Sequence, residues 1–283
     1  VSASFTVLGE FRSCSGRAVV FAGEAREGAG VPELALASAL AERESGGEEI
    51  RVVVLRIGGR DQGWVPPTVA WLAAHGRRVI LRTPVPLSRP SIAAARRDGV
   101  TVLLELAHAQ PAVQGALLGA HAESTAGLLF HAQHLRACEV EVAAWIGPLM
   151  PAVADDRALE VLVRHIVAAD LVDAHVVLGR LTPPRLEALS RVLPWPTVAT
   201  MSRAFGIDPA LPGKLPAAGV HLSPMADGAL RHAVGRVAGS LGLRLDHCGC
   251  PAQCHLDPEQ RTAFVPLATP ELFPDLVPDG LAH

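Results

Sequence analysis

The chain has 283 residues, 49% of them hydrophobic, and a formal net charge of −3. That length and apolar fraction can build one large α/β domain or two smaller ones, while the near-neutral charge gives no electrostatic footprint for nucleic acid. No stretch has the order of a signal peptide and no apolar run approaches membrane-spanning length, so a cytoplasmic protein with no membrane contact is expected. Nearly all the positive charge is arginine, and its scatter along the chain reads as composition rather than as a phosphate-binding face.

In chain order, short apolar runs alternate with helical segments. Strands are expected at residues 17–21, 50–57, 78–83, 100–106, 139–146 and 174–178. Helices are expected at 32–44, 67–75, 90–97, 123–137, 156–169 and 183–192, with a further one at 225–239. Runs such as Arg51-Val52-Val53-Val54-Leu55-Arg56-Ile57 are almost continuously apolar, which marks parallel strands covered by helices. Six successive βα units predict an α/β fold, a partial (β/α)6 TIM-like barrel with a C-terminal cysteine-containing extension. The punctuation agrees: Ser91 is placed to cap a helix that Gly99 stops, and Asp155 and Asp156 open another. Residues 1–240 therefore read as the barrel and 241–283 as a cysteine-containing tail.

The strongest chemical signal lies in that tail. Three of the five cysteines fall in Asp246-His247-Cys248-Gly249-Cys250-Pro251-Ala252-Gln253-Cys254-His255. Thiolates and imidazoles crowded on one loop repel when empty, and a thiophilic metal turns that crowding into binding energy. The candidate ligands are Cys248, Cys250 and Cys254, with His247, His255 or the distant Cys14 as a fourth. Structural zinc and an iron–sulfur cluster both satisfy the set. A loop of free thiols is the bland alternative.

Other residues carry weaker signals. Cys14 is a residual ligand or a small core residue, and Cys138, before an apolar strand, reads as core. His121, His131 and His134 crowd one helical unit, with the last two at i, i+3; a solvated polar face is favoured there over a metal pair. His108, just after the fourth strand, stands where barrel enzymes place active residues. Gly58-Gly59 after the second strand marks either a cofactor approach or an ordinary tight turn. The elbow, phosphate-loop and zinc-helix motifs of common hydrolases and kinases are missing from the sequence.

Taken together, these units resemble the radical S-adenosylmethionine (radical SAM) superfamily over roughly residues 10 to 200. The stretch from Gly119 through Leu135-Arg136-Ala137-Cys138-Glu139-Val140 is similar to that family's fourth unit. Pro148-Leu149-Met150-Pro151-Ala152-Val153-Ala154-Asp155-Asp156 resembles the loop after its fifth strand. The resemblance implies a Cys-x3-Cys-x2-Cys motif after the first strand, three thiolates holding a [4Fe–4S] cluster on which S-adenosylmethionine binds. Aligned on Cys14, the second and third cysteine positions are Ala18 and Phe21, which have no donor atom. It also implies a Gly-Gly-Glu-Pro motif that holds the cofactor's amino group, where this chain reads Gly58-Gly59-Arg60-Asp61. Arg60 there sets cation against cation, a repulsion of roughly 1 to 4 kcal/mol at about 4 Å, which disfavours S-adenosylmethionine. The tail cysteines and Glu271-Leu272-Phe273-Pro274 resemble the auxiliary-cluster tails of some members.

The resulting expectation is a radical-SAM-like barrel without its main cluster site, a non-catalytic partner of an enzyme or a binding protein for a peptide or other substrate. The alternative is a divergent active radical SAM enzyme that uses the C-terminal cysteines as iron–sulfur ligands.

Overall fold

The computed structural model describes residues 3–13, 16–25, 31–45, 47, 49–209 and 215–246. These divide into two compact units, one holding the described residues up to Leu104 with His131–Ala143, the other holding Glu105–Phe130 and Ala144–Leu245.

In the first unit β1 (Ala3–Ser13) and β2 (Gly16–Ala25) form an antiparallel hairpin whose register shifts between Val7 and Gly9. From β2 onward the pairing is parallel, through β3 (Ile50–Ile57), β4 (Arg78–Thr83) and β5 (Val100–Leu106), in chain order. Helices α1 (Pro32–Glu44), α2 (Val65–Ala74) and α3 (Arg89–Ala95) connect them. Each opens with proline in its first turn, where the missing N–H costs nothing. The predicted strands 50–57, 78–83 and 100–106 and the helix 32–44 have the observed bounds. The α3 cap differs from expectation. Ser88, not Ser91, is the cap: its hydroxyl accepts the N–H of Ser91 (3.4 Å), and Ser91 is a buried residue of the first turn whose hydroxyl meets that of Ser88 at 2.9 Å.

Strand pleating sorts the side chains of this unit onto two faces. Val19, Phe21, Leu55, Ile57 and Leu81 share one face and are at most 1% exposed. The opposite face carries Arg56 and Arg82, adjacent in register. At the N-terminal end of the strands, Arg77 makes a forked pair with Glu44 (2.6 and 3.2 Å), and Glu44 also accepts the N–H of Ile50 at 2.7 Å. Arg77 reaches the carbonyl of Ile50 as well. Such a half-buried fork fixes the end of α1 against β3.

The second unit continues with α4 (Pro111–Leu118), the start of α5 (Thr125–Ala137), β6 (Glu141–Leu149), α6 (Asp156–Ala168), β7 (Asp173–Leu178), α7 (Pro183–Ser190), α8 (Trp195–Ala204), α9 (Pro224–Ser240) and β8 (Arg244–Asp246). β6 and β7 are parallel. Helix α6 follows its sequence closely: Asp155 caps it through the N–H of Ala158 (2.8 Å), and Leu159, Leu162, Val163 and Ile166 make its buried stripe. A separate apolar cluster, including Val113, Met150, Leu181, Leu189, Met201 and Phe205, joins α4, α7 and α8. Elements β1, α4, α8 and β8 are additions to the predicted order. Among the described residues no helix is long and apolar enough to cross a membrane.

Candidate functional site

In α/β proteins with parallel strands, ligands gather at the carboxyl ends of the strands. In the first unit that end of β3 leads directly into Gly58, Gly59, Arg60 and Asp61, all exposed. A side-chain carbon added at Gly58 or Gly59 would meet nothing within 4 Å. The turn therefore stands where the sequence placed it, open to solvent. Behind it, Gln62 is 4% exposed; its amide donates to the carbonyl of Pro86 (2.8 Å) and its oxygen accepts the N–H of Ser88 (2.8 Å). One buried glutamine thus locks the β3–α2 turn to the β4–α3 turn.

At the neighbouring strand, Trp64 is 1% exposed and lies against Gly23 near the end of β2. Phe5 meets that indole edge-on with ring centroids 5.4 Å apart, and meets Phe21 at 6.3 Å. An aromatic cluster fills this corner because residue 23 has no side chain.

The alignment of the family's cysteine motif onto Cys14, Ala18 and Phe21 does not survive. Ala18 and Phe21 are sheet residues of β2, paired with Val52 and Leu55 and fully buried. They are part of the strand and not of a loop after it. Cys14 precedes β2 in the chain and lies outside the described residues, as do Cys248, Cys250, Cys254, His247 and His255. Among the described residues no three His, Cys, Asp or Glu side chains come together as a metal-holding group.

The histidines are placed differently from expectation. His131 is buried rather than solvated, and its Nε2 accepts the backbone N–H of Leu87 at 2.9 Å. Burial pushes its pKa down, and neighbouring His134 pushes the same way. That acceptor role takes the nitrogen a metal pair would need. His134 is exposed and approaches the sulfur of Cys138 at 4.0 Å, which leaves Cys138 half-buried at the end of α5 and not in the core. His121 is exposed.

His108, 8% exposed, does follow β5 directly, and burial lowers its pKa. Its Nδ1 accepts the N–H of Gln110 (3.0 Å), and its carbonyl accepts the hydroxyl of Thr125 (2.6 Å). Beside it the fully buried Gln114 accepts the N–H groups of Ala107 (2.8 Å) and His108 (3.0 Å) and donates to the carbonyls of Glu105 and Glu123, both at 3.3 Å. His108 is thus one member of a saturated backbone network centred on Gln114. Gln62, Trp64 and Gln114 fall in no sequence motif. A glutamine in the turn between a strand and a helix, or inside an apolar helix, is the signal that finds such residues.

No protein-family profile matches the chain, and no curated protein is similar to it in sequence at a significant level. Solved structures are similar in fold. A spore photoproduct lyase mutant matches with a TM-score of 0.50 at 13% identity, over 73% of this chain and 64% of the lyase. SuiB of Streptococcus suis, bound to its precursor peptide SuiA, matches with a TM-score of 0.49 at 10% identity, over 78% of this chain and 42% of SuiB. The chain therefore spans less than two thirds of either structure. Both are radical SAM enzymes. At this identity the likeness to the lyase is one of fold: an α/β partial (β/α)6 barrel of TIM type with a mostly parallel sheet.

Proposed function

We propose that this chain is a radical-SAM-fold protein that has lost its main [4Fe–4S]/S-adenosylmethionine site. It acts as a non-catalytic partner of an enzyme or as a binding protein for a peptide or other substrate. Residues 1–240 form the barrel, and residues 241–283 form a tail whose Cys248, Cys250 and Cys254 hold structural zinc or an auxiliary iron–sulfur cluster.

One observation carries this reading. The family's cluster cysteines follow the first strand of the βα series, and here that strand is β2, ending at Ala25. The residues beyond it are Arg26-Glu27-Gly28-Ala29-Gly30, and the sequence has no cysteine between Cys14 and Cys138. An iron–sulfur cluster is held by thiolates, so the residues after β2 do not fit it. Arg60, next to the exposed Gly59, is of the wrong charge for the cofactor's ammonium group.

Metal analysis and a visible absorption spectrum of anaerobically purified protein test the assignment. Wild type should carry one metal site per chain, lost when Cys248, Cys250 and Cys254 are all replaced by alanine. Visible charge-transfer absorption would identify the cluster, and a colourless zinc protein the structural metal. Metal retained by the triple variant would contradict the assignment to the tail.

A further inference from the structure

Just past β7 the chain turns through Gly179-Arg180 and makes a short antiparallel contact with a distant segment of the same unit. Leu181 and Val220 exchange two backbone hydrogen bonds, 3.0 Å from Leu181 N–H to Val220 and 2.9 Å in return. In an antiparallel pair the flanking residues stand opposite each other, so Arg180 and His221 become cross-strand neighbours. Two groups that tend to positive charge in that arrangement destabilise one another.

Among the described residues neither group pairs with an acid. Arg180 is 5% exposed, and its Nε has no hydrogen-bond partner. The Nε2 of His221 is also buried and without one. No carboxylate among the described residues pairs with Arg180. A second guanidinium approaches the same turn, since Arg185 Nη1 donates to the carbonyl of Arg180 at 2.5 Å. A guanidinium stays charged at any physiological pH, and a buried cation without a counter-charge is costly.

The backbone packs closely around the pair. Gly219 sits at φ +79°, and a side-chain carbon there would come 2.7 Å from the carbonyl oxygen of Leu181 and 3.0 Å from Arg180 Nε. Only glycine both adopts that φ easily and lets the backbone pass this close to the buried Nε. Arg180 also follows the carboxyl end of a parallel strand, the end at which such folds bind ligands. Burial and the nearby Arg180 lower the His221 pKa, as two mutually repelling cations in one buried place require.

We infer that Arg180 and His221 form a binding site for an oxyanion, a carboxylate or phosphate group carried by a ligand. Two oxygens of such a group accept from the guanidinium fork, and the imidazole N–H completes the contact. The site is independent of the tail cysteines and of the missing cluster.

Thermal shift and titration calorimetry test it, using inorganic phosphate, N-acetylglycine and, as uncharged control, N-acetylglycinamide at matched ionic strength. Phosphate or N-acetylglycine should stabilise wild type by binding the folded state, and the amide should not. Which anion acts identifies the source as phosphate or carboxylate. In Arg180→Gln the dissociation constant should weaken about tenfold or more, equivalent to about 1.4 kcal/mol, while the anion-free protein keeps or raises its Tm because a buried unpaired charge is gone. Arg180→Lys, which keeps the charge and loses the fork, should fold and bind more weakly, so the test holds even if the glutamine variant is unstable. Equal anion responses in wild type and both variants, or no response in any, would overturn the inference.

Discussion

The indole of Trp64 occupies the space that any side chain at residue 23 would need. This contact closes the corner at the end of β2, the strand whose following loop would bear a cluster in the radical SAM fold. The sequence Ala22-Gly23-Glu24 and the tryptophan forty-one positions later are therefore one packing unit. Gly23→Ala should destabilise the protein by roughly 1–3 kcal/mol through overpacking, and Trp64→Leu should cost a comparable amount by leaving space. Combined, they should lose less than the sum, with a coupling of about 1 kcal/mol or more. Denaturant unfolding of the two single variants and the double variant checks this; strict additivity would place the indole elsewhere.

Gln114 offers a second, sharper test. It uses both amide hydrogens and its oxygen on four backbone groups. Gln114→Leu has nearly the same volume and strands all four, so a loss of about 3 kcal/mol or more is expected at about 1–3 kcal/mol for each buried group left unmade. Gln114→Glu keeps the acceptor and loses the donors, and should fall between wild type and the leucine variant. The order of the three Tm values is the readout.

His131 gives the pH dependence a sign. Its folded-state pKa lies below the ordinary value of 6.5, because burial disfavours the charged ring. The unfolded chain therefore binds the proton first as pH falls. Stability from this group is complete above the unfolded value and is lost as pH drops from there through the folded value. His131→Gln retains an acceptor for the N–H of Leu87 and removes the titration. Its Tm should fall less than that of wild type between about pH 7.5 and 5.5, and an unchanged slope would remove His131 from the account.

Much of the fold is legible from local pattern, and the losses have physical reasons. Strands 50–57, 78–83 and 100–106 are recognisable because they are almost continuous apolar runs with buried residues on both faces, as central parallel strands require. The hairpin strand β1 is harder, since its pattern is broken at Gly9, where the register itself shifts. Helices α4 and α8 are short and begin among prolines that also read as loop punctuation. The site is less legible than the fold. Arg56 and Arg82 look like scattered charges until the parallel register puts them side by side, and Arg180 meets His221 only through a contact forty residues long. Pairings of that kind are tertiary and leave no local trace.

Cys14 illustrates the same limit from the other direction. Counted along the chain it aligns with the first cysteine of a cluster motif, yet strand β2 begins after it. Strand β2, Gly16–Ala25, contains the predicted strand 17–21, so Ala18 and Phe21 belong to the sheet and a motif that follows the first strand has to be sought beyond Ala25.

The proposed role requires that the chain not initiate radical chemistry. It is tested most directly by incubating wild-type protein, anaerobically reconstituted with iron and sulfide, with S-adenosylmethionine and a strong reductant, and measuring 5′-deoxyadenosine. No 5′-deoxyadenosine above the protein-free control is predicted. Its formation by wild type, and its loss when Cys248, Cys250 and Cys254 are replaced, would contradict the account and establish a divergent radical enzyme that draws its cluster from the tail.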